Sequence, residues 1–460
     1  MIARGASSLA DTILGIATPT GTAAIGVIRL TGPHAIPIVS KIVRPSRRSL
    51  EACEPRRVYR ASVVDPASGE QMDVALVVVM PGPGSYTGDD VVELSCHGNP
   101  VLLEAIANLL ISGGARLAEP GEFTRRAYLR GRLDLLQVEA VAELISARSE
   151  RAIRLAARQL SGGLSVEVVR CRERVIDLIA GLEVALDFPD DESGTGRMDA
   201  ASQATGIVDE LSTMILGARR GRATHDGLSV MLAGAPNVGK SSLLNRLLGA
   251  ERAIVSPTPG TTRDLVDGTL VIDGVRVRVV DGAGLGDPTD AIDAEGMRRA
   301  KQALRESDLV LVVLDRSRPL SSVDRDLVDS TSGSRRLIIE NKCDVPSAWK
   351  GDAIETDCAC SALTGTGVTG VLDRLERWVR ERTISDGDEG GFVASLRVVD
   401  GLGAVRAAAD RGARALAFGI PYEAALVDLR EALIEIERIL GRQSEDAVLD
   451  KIFASFCIGK

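Results

Sequence analysis

Eight consecutive residues in the middle of the chain have the types and spacing needed to hold a phosphate group. Residues 234–241 (Gly-Ala-Pro-Asn-Val-Gly-Lys-Ser) place four residues between two glycines that are followed by lysine and serine. Glycines let backbone N–H groups close around phosphate oxygens, the Lys240 ammonium adds a point charge, and the Ser241 hydroxyl can hold Mg²⁺. The apolar run 228–233 comes before the loop and a leucine-rich helical pattern at 242–248 follows it. This order of strand, loop and helix predicts a phosphate-binding loop.

Two later motifs follow predicted strands and complete a nucleotide site. Asp281 comes directly after the strand 275–280, so it can reach the Mg²⁺ shell, and the Gly284 amide can reach the terminal phosphate. The motif 341–344 (Asn-Lys-Cys-Asp) follows another predicted strand. Its last carboxylate can accept both the N1–H and the exocyclic amine of guanine, a pairing that adenine cannot offer. The sequence therefore predicts a site for GTP rather than ATP.

Between these motifs lies a segment typical of a GTPase switch, residues 256–264. Thr262 is placed to join Ser241 in the Mg²⁺ shell once a terminal phosphate is present, although a flexible linker is the alternative interpretation. Leu285 follows Gly284, where many small GTPases have a glutamine, and an isobutyl group cannot orient the attacking water. Charge stabilisation and water positioning must therefore come from elsewhere. The predicted GTP-binding residues are Gly234, Asn237, Val238, Gly239, Lys240, Ser241, Ser242, Ser256, Pro257, Thr258, Pro259, Gly260, Thr261, Thr262, Asp281, Gly282, Ala283, Gly284, Asn341, Lys342, Asp344, Ser361, Ala362 and Leu363.

Composition limits the classes of function. A chain of 460 residues should form two to four domains, and a formal net charge of −9 argues against a general nucleic-acid coat protein while allowing a local basic face. The seven cysteines are scattered, which favours reduced thiols in the cytoplasm and argues against both disulfides and zinc. We expect neither a secretory signal nor a membrane span.

Hydrophobic periodicity predicts a multidomain protein. Residues 1–128 alternate strand-like runs with turns and predict an α+β domain. Helical periods in residues 129–222 and again in 385–460 predict an all-α helical domain. Residues 223–384 alternate strands with helices and predict an α/β P-loop GTPase domain with a mostly parallel sheet. Because helical segments flank it, this domain is expected to be inserted into the helical domain.

Local patterns add detail to the outer domains. Strands are predicted at 24–30, 58–64, 74–80 and 91–95, and a helix is predicted from Pro421 to Gly441. Two loops, 18–22 and 81–90, are rich in glycine and hydroxyl groups, which suits either ligand binding or ordinary surface turns. The predicted buried helical positions are Leu133, Leu136, Ala140, Val141, Leu144, Ile145, Val168, Val175, Leu178, Ile179, Leu182 and Leu186.

Five further motifs lie outside the nucleotide site. They are residues 85–88 (Ser-Tyr-Thr-Gly), 93–98 (Glu-Leu-Ser-Cys-His-Gly), 120–127 (Pro-Gly-Glu-Phe-Thr-Arg-Arg-Ala), 131–135 (Gly-Arg-Leu-Asp-Leu) and 456–460 (Phe-Cys-Ile-Gly-Lys). Together with the GTPase motifs they make essentially the whole chain resemble the family of tRNA modification GTPases known as MnmE or TrmE. The resemblance implies a homodimer joined through N-terminal domains that bind 5-formyl-tetrahydrofolate. The implied folate contacts are Arg29, Glu93, Arg132 and Lys460.

The resemblance also implies a specific chemistry. Members of this family hydrolyse GTP and work with an FAD-dependent partner of the MnmG type on tRNA. Together they install an aminomethyl-type group, such as carboxymethylaminomethyl, on carbon 5 of the wobble uridine, with folate as the proposed one-carbon source. A potassium ion held by Asn237, Ser256, Thr258 and Thr261 would supply the positive charge of an arginine finger. Two nucleotide domains must meet to order that loop, so activity is expected to depend on potassium and dimerisation.

The chain departs from the family pattern in several places. Gly282 stands where the family has threonine, and Thr22 replaces a basic residue in the first glycine-rich loop. The family's water-positioning glutamate falls at Asp293, one methylene shorter, with Glu295 as the alternative. Cys457 matches a cysteine long considered catalytic, but a cysteine so close to the chain end could equally be an inert packed thiol.

A regulatory GTP switch is the alternative interpretation of the whole sequence. In that case the nucleotide would toggle binding to a ribosomal or membrane partner, and no nucleotide would be modified. Acidic charge without a basic tail is compatible with both functions. The glycine-rich N-terminal loops and the terminal motif at 457–460, which a pure switch would not need, favour the modifying enzyme.

Overall fold

The protein is multidomain and combines an α+β part, helical segments and an α/β part with a mostly parallel sheet, as the sequence predicts. The computed structural model describes residues 10–46, 48–188, 196–249, 267–281, 304, 307–349, 354–383, 391–443, 446–454, 456 and 459. The chain divides into two compact units, one of Met1–Ala142, Leu160–Ala200 and Arg414–Lys460, and one of Glu143–Gln159 and Ala201–Ala413. Helical segments contribute to both units, so the division into three domains stays a prediction.

The described elements are as follows, in chain order within each type. The strands are β1 (Ile13–Ile16), β2 (Ile25–Thr31), β3 (Val43–Pro45), β4 (Tyr59–Val64), β5 (Gln71–Met80), β6 (Val91–His97), β7 (Arg116–Leu117), β8 (Leu228–Ala233), β9 (Asp267–Ile272), β10 (Val275–Asp281), β11 (Leu309–Asp315), β12 (Arg336–Asn341) and β13 (Cys358–Ala359). The helices are α1 (Ala35–Ser40), α2 (Pro100–Ser112), α3 (Glu122–Leu129), α4 (Leu135–Ser146), α5 (Glu150–Leu160), α6 (Gly163–Asp187), α7 (Arg197–Asp226), α8 (Lys240–Leu248), α9 (Ser322–Ser330), α10 (Val368–Arg382), α11 (Leu396–Ala417), α12 (Tyr422–Ile439) and α13 (Asp446–Ala454). None of these described helices is long and apolar enough to cross a membrane.

The first unit is built on a seven-stranded sheet in the order β3-β4-β5-β6-β2-β1-β7. The four strands predicted in this part of the chain correspond to β2, β4, β5 and β6, which alternate buried and more exposed residues as a sheet with one covered face does. The sequence analysis does not include helix α2, although the residues at its start are typical of a helix N-terminus. The Asn99 side chain accepts hydrogen bonds from the Val101 and Leu102 amides, and Pro100 occupies the first helical turn.

The second unit contains a six-stranded sheet in the order β13-β12-β11-β8-β10-β9. All neighbouring pairs are parallel except β9 with β10, so the sheet is mostly parallel as predicted. Every residue of β11 is buried, which explains its unbroken apolar sequence: an inner parallel strand is covered on both faces. Helix α9 begins with a capping box in which Ser321 and Asp324 exchange side-chain and backbone hydrogen bonds.

Two predicted core positions are wrong. Ile145 is 50% exposed and Leu186 is 39% exposed. Both lie in the last turn of their helices, α4 and α6, where the apolar face extends past the residues that cover it. Helix α7 also extends to Asp226, beyond residue 222, where the predicted helical segment ends. Periodicity therefore locates these helices better than it locates the end of their buried faces.

A buried ion-pair network joins α3 to the segment before β1. Glu122 is 2% exposed and accepts hydrogen bonds from both terminal nitrogens of Arg116, at 2.8 and 2.5 Å, and from the Glu119 amide at 2.9 Å. Arg126 is 1% exposed and lies 3.0 Å from the Glu122 carboxylate and 2.8 Å from the Asp11 carbonyl oxygen. Burial alone would raise the pKa of Glu122, but Arg116, the Glu119 amide and Arg126 outweigh it and lower the pKa below 4.5. The carboxylate is therefore held ionised inside the first unit.

We expect Glu122→Gln to lower the free energy of unfolding by about 3 kcal/mol at neutral pH, because it removes one partner of a buried ion pair. The folded pKa of Glu122 lies below its unfolded value of 4.5, so its stabilising contribution is present above that pH and is lost as the pH falls through the folded pKa. Urea unfolding followed by circular dichroism should show a difference between wild type and variant that shrinks as the pH is lowered from neutral to below 4.5. The exposed Glu119→Gln is the matched control. A difference of the same size at neutral and at acidic pH would contradict the assignment of Glu122 as an ionised, stabilising group.

Candidate nucleotide-binding site

The phosphate loop connects β8 to α8, as predicted, and its glycines are required by close neighbours. A Cβ at Gly234 would lie 2.5 Å from the Val313 carbonyl oxygen, and a Cβ at Gly239 would lie 2.4 Å from Asn341 Nδ2. Gly239 also has φ +98°, and Asn237 has φ 63°, both in the left-handed region. The loop can therefore pack against the ends of β11 and β12 only with glycine at both positions.

Ser241 and Asp281 form a donor set that suits magnesium. The Ser241 hydroxyl donates to Asp281 Oδ2 at 2.7 Å, and Asp281 is 1% exposed at the end of β10. The other carboxylate oxygen, Oδ1, is buried and has no hydrogen-bond partner in the described part of the chain. A buried acceptor without a partner is costly, and Mg²⁺ prefers oxygen ligands of this kind, held directly or through water. These two residues fit a magnesium ion.

Lys240 lies inside the phosphate loop. Its ammonium donates to the carbonyl oxygens of Gly234 at 2.9 Å and Ala235 at 3.1 Å. Burial lowers the pKa of Lys240, and the nearby Asp281 carboxylate opposes that shift. A phosphate oxyanion in the loop would oppose it further, because it stabilises the charged ammonium.

The Asn341 side chain ties three loops together. It is 1% exposed, and its Nδ2 donates to the Val238 carbonyl oxygen at 2.7 Å. Its Oδ1 accepts a hydrogen bond from the Ala362 amide at 3.0 Å. The predicted guanine motif is thus fastened both to the phosphate loop and to the segment 361–363 that is expected to cover the base.

Lys342 is held by an acidic residue that the sequence analysis missed. Its ammonium lies 2.7 Å from Asp315 Oδ2, and the Ser317 amide and hydroxyl donate to Asp315 Oδ1 at 2.8 and 2.6 Å. Burial would raise the pKa of Asp315, but Lys342 and Ser317 together lower it below 3.8. Asp315 follows the wholly apolar run 309–314, and a carboxylate at the carboxyl end of a buried parallel strand was a signal that could have identified it.

A cavity of about 630 Å³ opens beside the guanine motif. Asp344 is exposed at its wall, and Leu363 is 78% exposed on the loop that borders it. The Arg246 guanidinium donates to the Ala362 and Leu363 carbonyl oxygens and so fixes that loop. Ser361 is buried, and its hydroxyl accepts from the Thr364 amide, which shapes the turn. The cavity is lined by the predicted Gly239, Ser242, Asn341, Lys342, Asp344, Ala362 and Leu363, and by Asn245, Arg246, Gly249, Ser317 and Val345, which the sequence did not single out.

In the first unit, two of the implied folate residues lie together. Arg29 and Glu93 are register partners on β2 and β6, and Arg29 Nε lies 2.7 Å from Glu93 Oε1. Arg29 also donates to the Gly459 carbonyl oxygen at 3.1 Å, and its guanidinium carbon lies 5.8 Å from the centre of the Phe123 ring. Arg132 is exposed beside the glycine-rich loop 81–90. The Arg29 guanidinium and the Glu93 carboxylate thus lie side by side and are both partly exposed.

Several predicted site residues lie outside the described residues. They belong to the switch segment, the glycine loop after β10, the proposed water-positioning acids and the chain end. They are Ser256, Pro257, Thr258, Pro259, Gly260, Thr261, Thr262, Gly282, Ala283, Gly284, Asp293, Glu295, Cys457 and Lys460.

Comparison with known proteins gives full-length matches. A family model described as the MnmE helical domain matches residues 135–457, and one described as the N-terminus of the GTP-binding protein TrmE matches residues 12–132. The tRNA modification GTPase MnmE of Koribacter versatilis is 39% identical over 461 residues, covering 98% of this chain and 100% of that protein. The protein of the same name from Syntrophobacter fumaroxidans is 40% identical over 465 residues, covering 98% of each chain. The one from Thermotoga maritima is 37% identical over 461 residues, covering 98% of this chain and 100% of that protein.

We expect Asp344→Asn to change the preferred nucleotide from GTP to xanthosine triphosphate. The amide can donate to the carbonyl that xanthine carries at carbon 2, but it cannot accept from both guanine N–H groups. Affinity for GTP should fall at least about 100-fold, because one guanine N–H group would be left without an acceptor in the occupied site, and calorimetric titration with both nucleotides would measure it. The exposed Asp326→Asn on α9 is the matched control. Unchanged GTP affinity in Asp344→Asn would remove the assignment of the base site.

Proposed function

The chain belongs to the MnmE (TrmE) family of tRNA modification GTPases, and on this basis we propose that it couples GTP hydrolysis to modification of the wobble uridine in certain tRNAs. With an FAD-dependent partner of the MnmG type, it would help to install an aminomethyl-type (carboxymethylaminomethyl) group on carbon 5. The observation that carries the hydrolase part is the Ser241 hydroxyl bonded to Asp281, whose second carboxylate oxygen is buried without a partner at the end of β10. Such a pair serves a phosphate-bound metal better than it serves the fold alone.

The chain's own groups have distinct parts in hydrolysis. The phosphate-loop amides and Lys240 bind the phosphates, and Asp344 selects guanine. Ser241 and Thr262 would hold Mg²⁺ together with Asp281, and the ion would neutralise charge on the phosphate oxygens. Asp293 would position the attacking water, with Glu295 as the alternative.

Potassium is proposed as the additional cation of the site. Asn237 lies exposed at the tip of the phosphate loop with φ 63°, a position from which a side-chain oxygen can reach a cation beside the phosphates. Ser256, Thr258 and Thr261 would supply further oxygen ligands. Fixed positive charge in a site closed to water stabilises the charge that develops during phosphoryl transfer. Leu285 cannot contribute to catalysis as a glutamine would, so the site depends more on other stabilising groups, and a fixed cation is one of them.

The first unit is proposed to bind 5-formyl-tetrahydrofolate. Arg29 can donate and Glu93 can accept hydrogen bonds, and a pterin-like ring has both kinds of group to match them. Their 2.7 Å contact and partial exposure support a preformed polar site. Arg132 and Lys460 would complete it, and Cys457 lies three residues before Lys460.

A cytoplasmic homodimer joined through the N-terminal domains is the proposed working form. The described Cys53 and Cys96 form no disulfide, which suits a reducing compartment. Meeting of the two nucleotide domains would order the switch segment, so GTP hydrolysis should depend on dimerisation.

Mass analysis of wobble uridines tests the proposal directly. Cells lacking this protein should lose the aminomethyl-type modification at carbon 5, and the wild-type gene should restore it. Arg29→Ala should fail to restore it, because the folate site loses its donor, while the same protein retains GTP hydrolysis. Arg406→Ala, which changes an exposed arginine on α11, is the control and should restore the modification. Unchanged nucleosides in the deletion strain would favour a regulatory GTP switch instead.

Exchange of K⁺ for Na⁺ tests the cation. Hydrolysis should slow at least about tenfold in sodium at the same ionic strength, because loss of one stabilising charge of this kind costs more than about 1.4 kcal/mol of barrier. Nucleotide affinity, measured in parallel with a slowly hydrolysed GTP analogue, reports whether sodium acts on binding or on turnover. Equal turnover in the two salts would rule potassium out.

A further inference from the structure

A second cavity lies at the amino ends of β11 and β12, at the end of the sheet opposite the predicted nucleotide site. It measures about 320 Å³ and is bordered by the first residue of β11, the start of β12 and one face of α10. Its polar lining consists of Arg335, Arg336, Arg374, Arg377, Trp378 and Glu381. None of the functions assigned above uses these residues.

The charge around this cavity is unlike that of the chain as a whole. Four arginines and one glutamate give the lining a formal charge of +3, whereas the whole chain carries −9. Arg335 and Arg377 are exposed and form no ion pair with a described residue. Arg374 pairs with Asp357 at 3.9 Å, a long and partly exposed contact that solvent screens. Arg336 already donates to the Val328 carbonyl and the Thr331 hydroxyl oxygen. Two uncompensated guanidinium groups, those of Arg335 and Arg377, thus lie together in an acidic protein, which favours a bound anion.

The arginines on α10 are not explained by the helix itself. Basic residues near a helix C-terminus interact favourably with its dipole, but Arg380 and Arg382 already occupy the last turn. Arg374 and Arg377 lie further back, on the same face as Trp378, and the indole nitrogen of Trp378 is buried without a hydrogen-bond partner in the described structure. The helix dipole therefore does not account for the two arginines that α10 presents at this cavity.

The cavity is separate from the GTP site. Nucleotide residues follow the carboxyl ends of β11 and β12, whereas Leu309 and Leu337 border this cavity at the amino ends of the same strands. A strand of seven residues spans about 20 Å, so a phosphate held here is not part of GTP.

We propose that this cavity binds a phosphate of the RNA backbone. The nucleotide domain would then contact tRNA at the amino ends of β11 and β12, opposite the GTP site. The proposal rests on the proposed function in tRNA modification. Guanidinium groups bind phosphate through paired N–H donors, and Arg335 and Arg377, with the loosely paired Arg374 beside them, suit consecutive backbone phosphates better than one free ion. The contact would position the RNA and would not select its sequence.

Charge reversal at the two unpaired arginines tests this contact in the full-length dimer. Fluorescence anisotropy with labelled tRNA should show Arg335→Glu and Arg377→Glu each weakening binding about tenfold, with the slope of log K against log salt reduced by about 1 per variant. Arg377→Lys should lose less affinity than Arg377→Glu, because the ammonium keeps the positive charge although it lacks the planar fork. GTP hydrolysis without RNA should stay at the wild-type rate, which also shows that the variants fold.

Arg406→Glu, with the same change of charge on an exposed helix position, is the matched control. Variants that bind tRNA with the affinity and salt slope of this control would overturn the inference, and so would variants that lose only the FAD-dependent partner. Titration with inorganic phosphate at constant ionic strength distinguishes a free ion from RNA as the ligand. If phosphate binds at micromolar concentration and Arg335→Glu abolishes that binding without affecting tRNA binding, the ligand is not RNA. Wild-type protein that binds no tRNA would instead defeat the proposed function, and this contact with it.

Discussion

The hydrogen bonds of the buried Asn341 amide hold the nucleotide site together. One side chain satisfies the Val238 carbonyl of the phosphate loop and the Ala362 amide of the base-covering segment. In a buried, weakly polar environment an unpaired carbonyl or amide costs about 1–3 kcal/mol, so each loop is stable in its position only while the other two are in theirs. The 2.4 Å that would separate a Cβ at Gly239 from the Asn341 amide shows how little room this arrangement leaves. The predicted phosphate loop and the predicted guanine motif are therefore parts of one rigid assembly.

The parallel sheet explains why that amide is where it is. β11 and β12 pair in a register that sets Asp315 opposite Asn341 at their carboxyl ends. The next residue after Asn341 is Lys342, whose left-handed φ of 65° turns the chain so that its ammonium reaches Asp315. Complete burial of β11 fixes the register, because a shift of one residue would carry Asp315 into the apolar interior without its partners. The apolar strand is thus the reason that the polar residues beyond it meet.

These relations show what the sequence could and could not reveal. Apolar runs predict β8, β11 and the centre of β12 well, because inner parallel strands are apolar on both faces, whereas β10 alternates valine with arginine. The loops after these strands can then be interpreted as a site. Arg246 could not be found in this way, since its contacts with Ala362 and Leu363 join residues more than 100 positions apart. The packing of the helical segments is harder to predict than the contacts of the nucleotide site. Periodicity identifies an apolar face but not the helix that covers it.

The packing of α6 with α12 illustrates this limit. Arg172 pairs with Glu437, and Arg430 lies 2.7 Å from Glu183, so two helices far apart in sequence form one layer in the first unit. Other helical segments, from the same stretch that the sequence assigns to a single helical domain, belong to the second unit. A single sequence shows that each helix needs a partner, and only the structure shows which partner it has.

The two ends of the nucleotide-domain sheet bear on how RNA and GTP could influence each other. A ligand shifts a conformational equilibrium only by the difference in its affinity for the two states. β11 and β12 are buried, closely paired strands, and a packed sheet of this kind does not deform gradually along its length. A phosphate bound at the amino ends would therefore fix where the domain lies on the RNA without altering the Asn341 assembly at the carboxyl ends. Any response of RNA binding to the nucleotide must act through a segment with two stable arrangements, and the predicted switch at residues 256–264 is the part of this chain whose sequence suits that role.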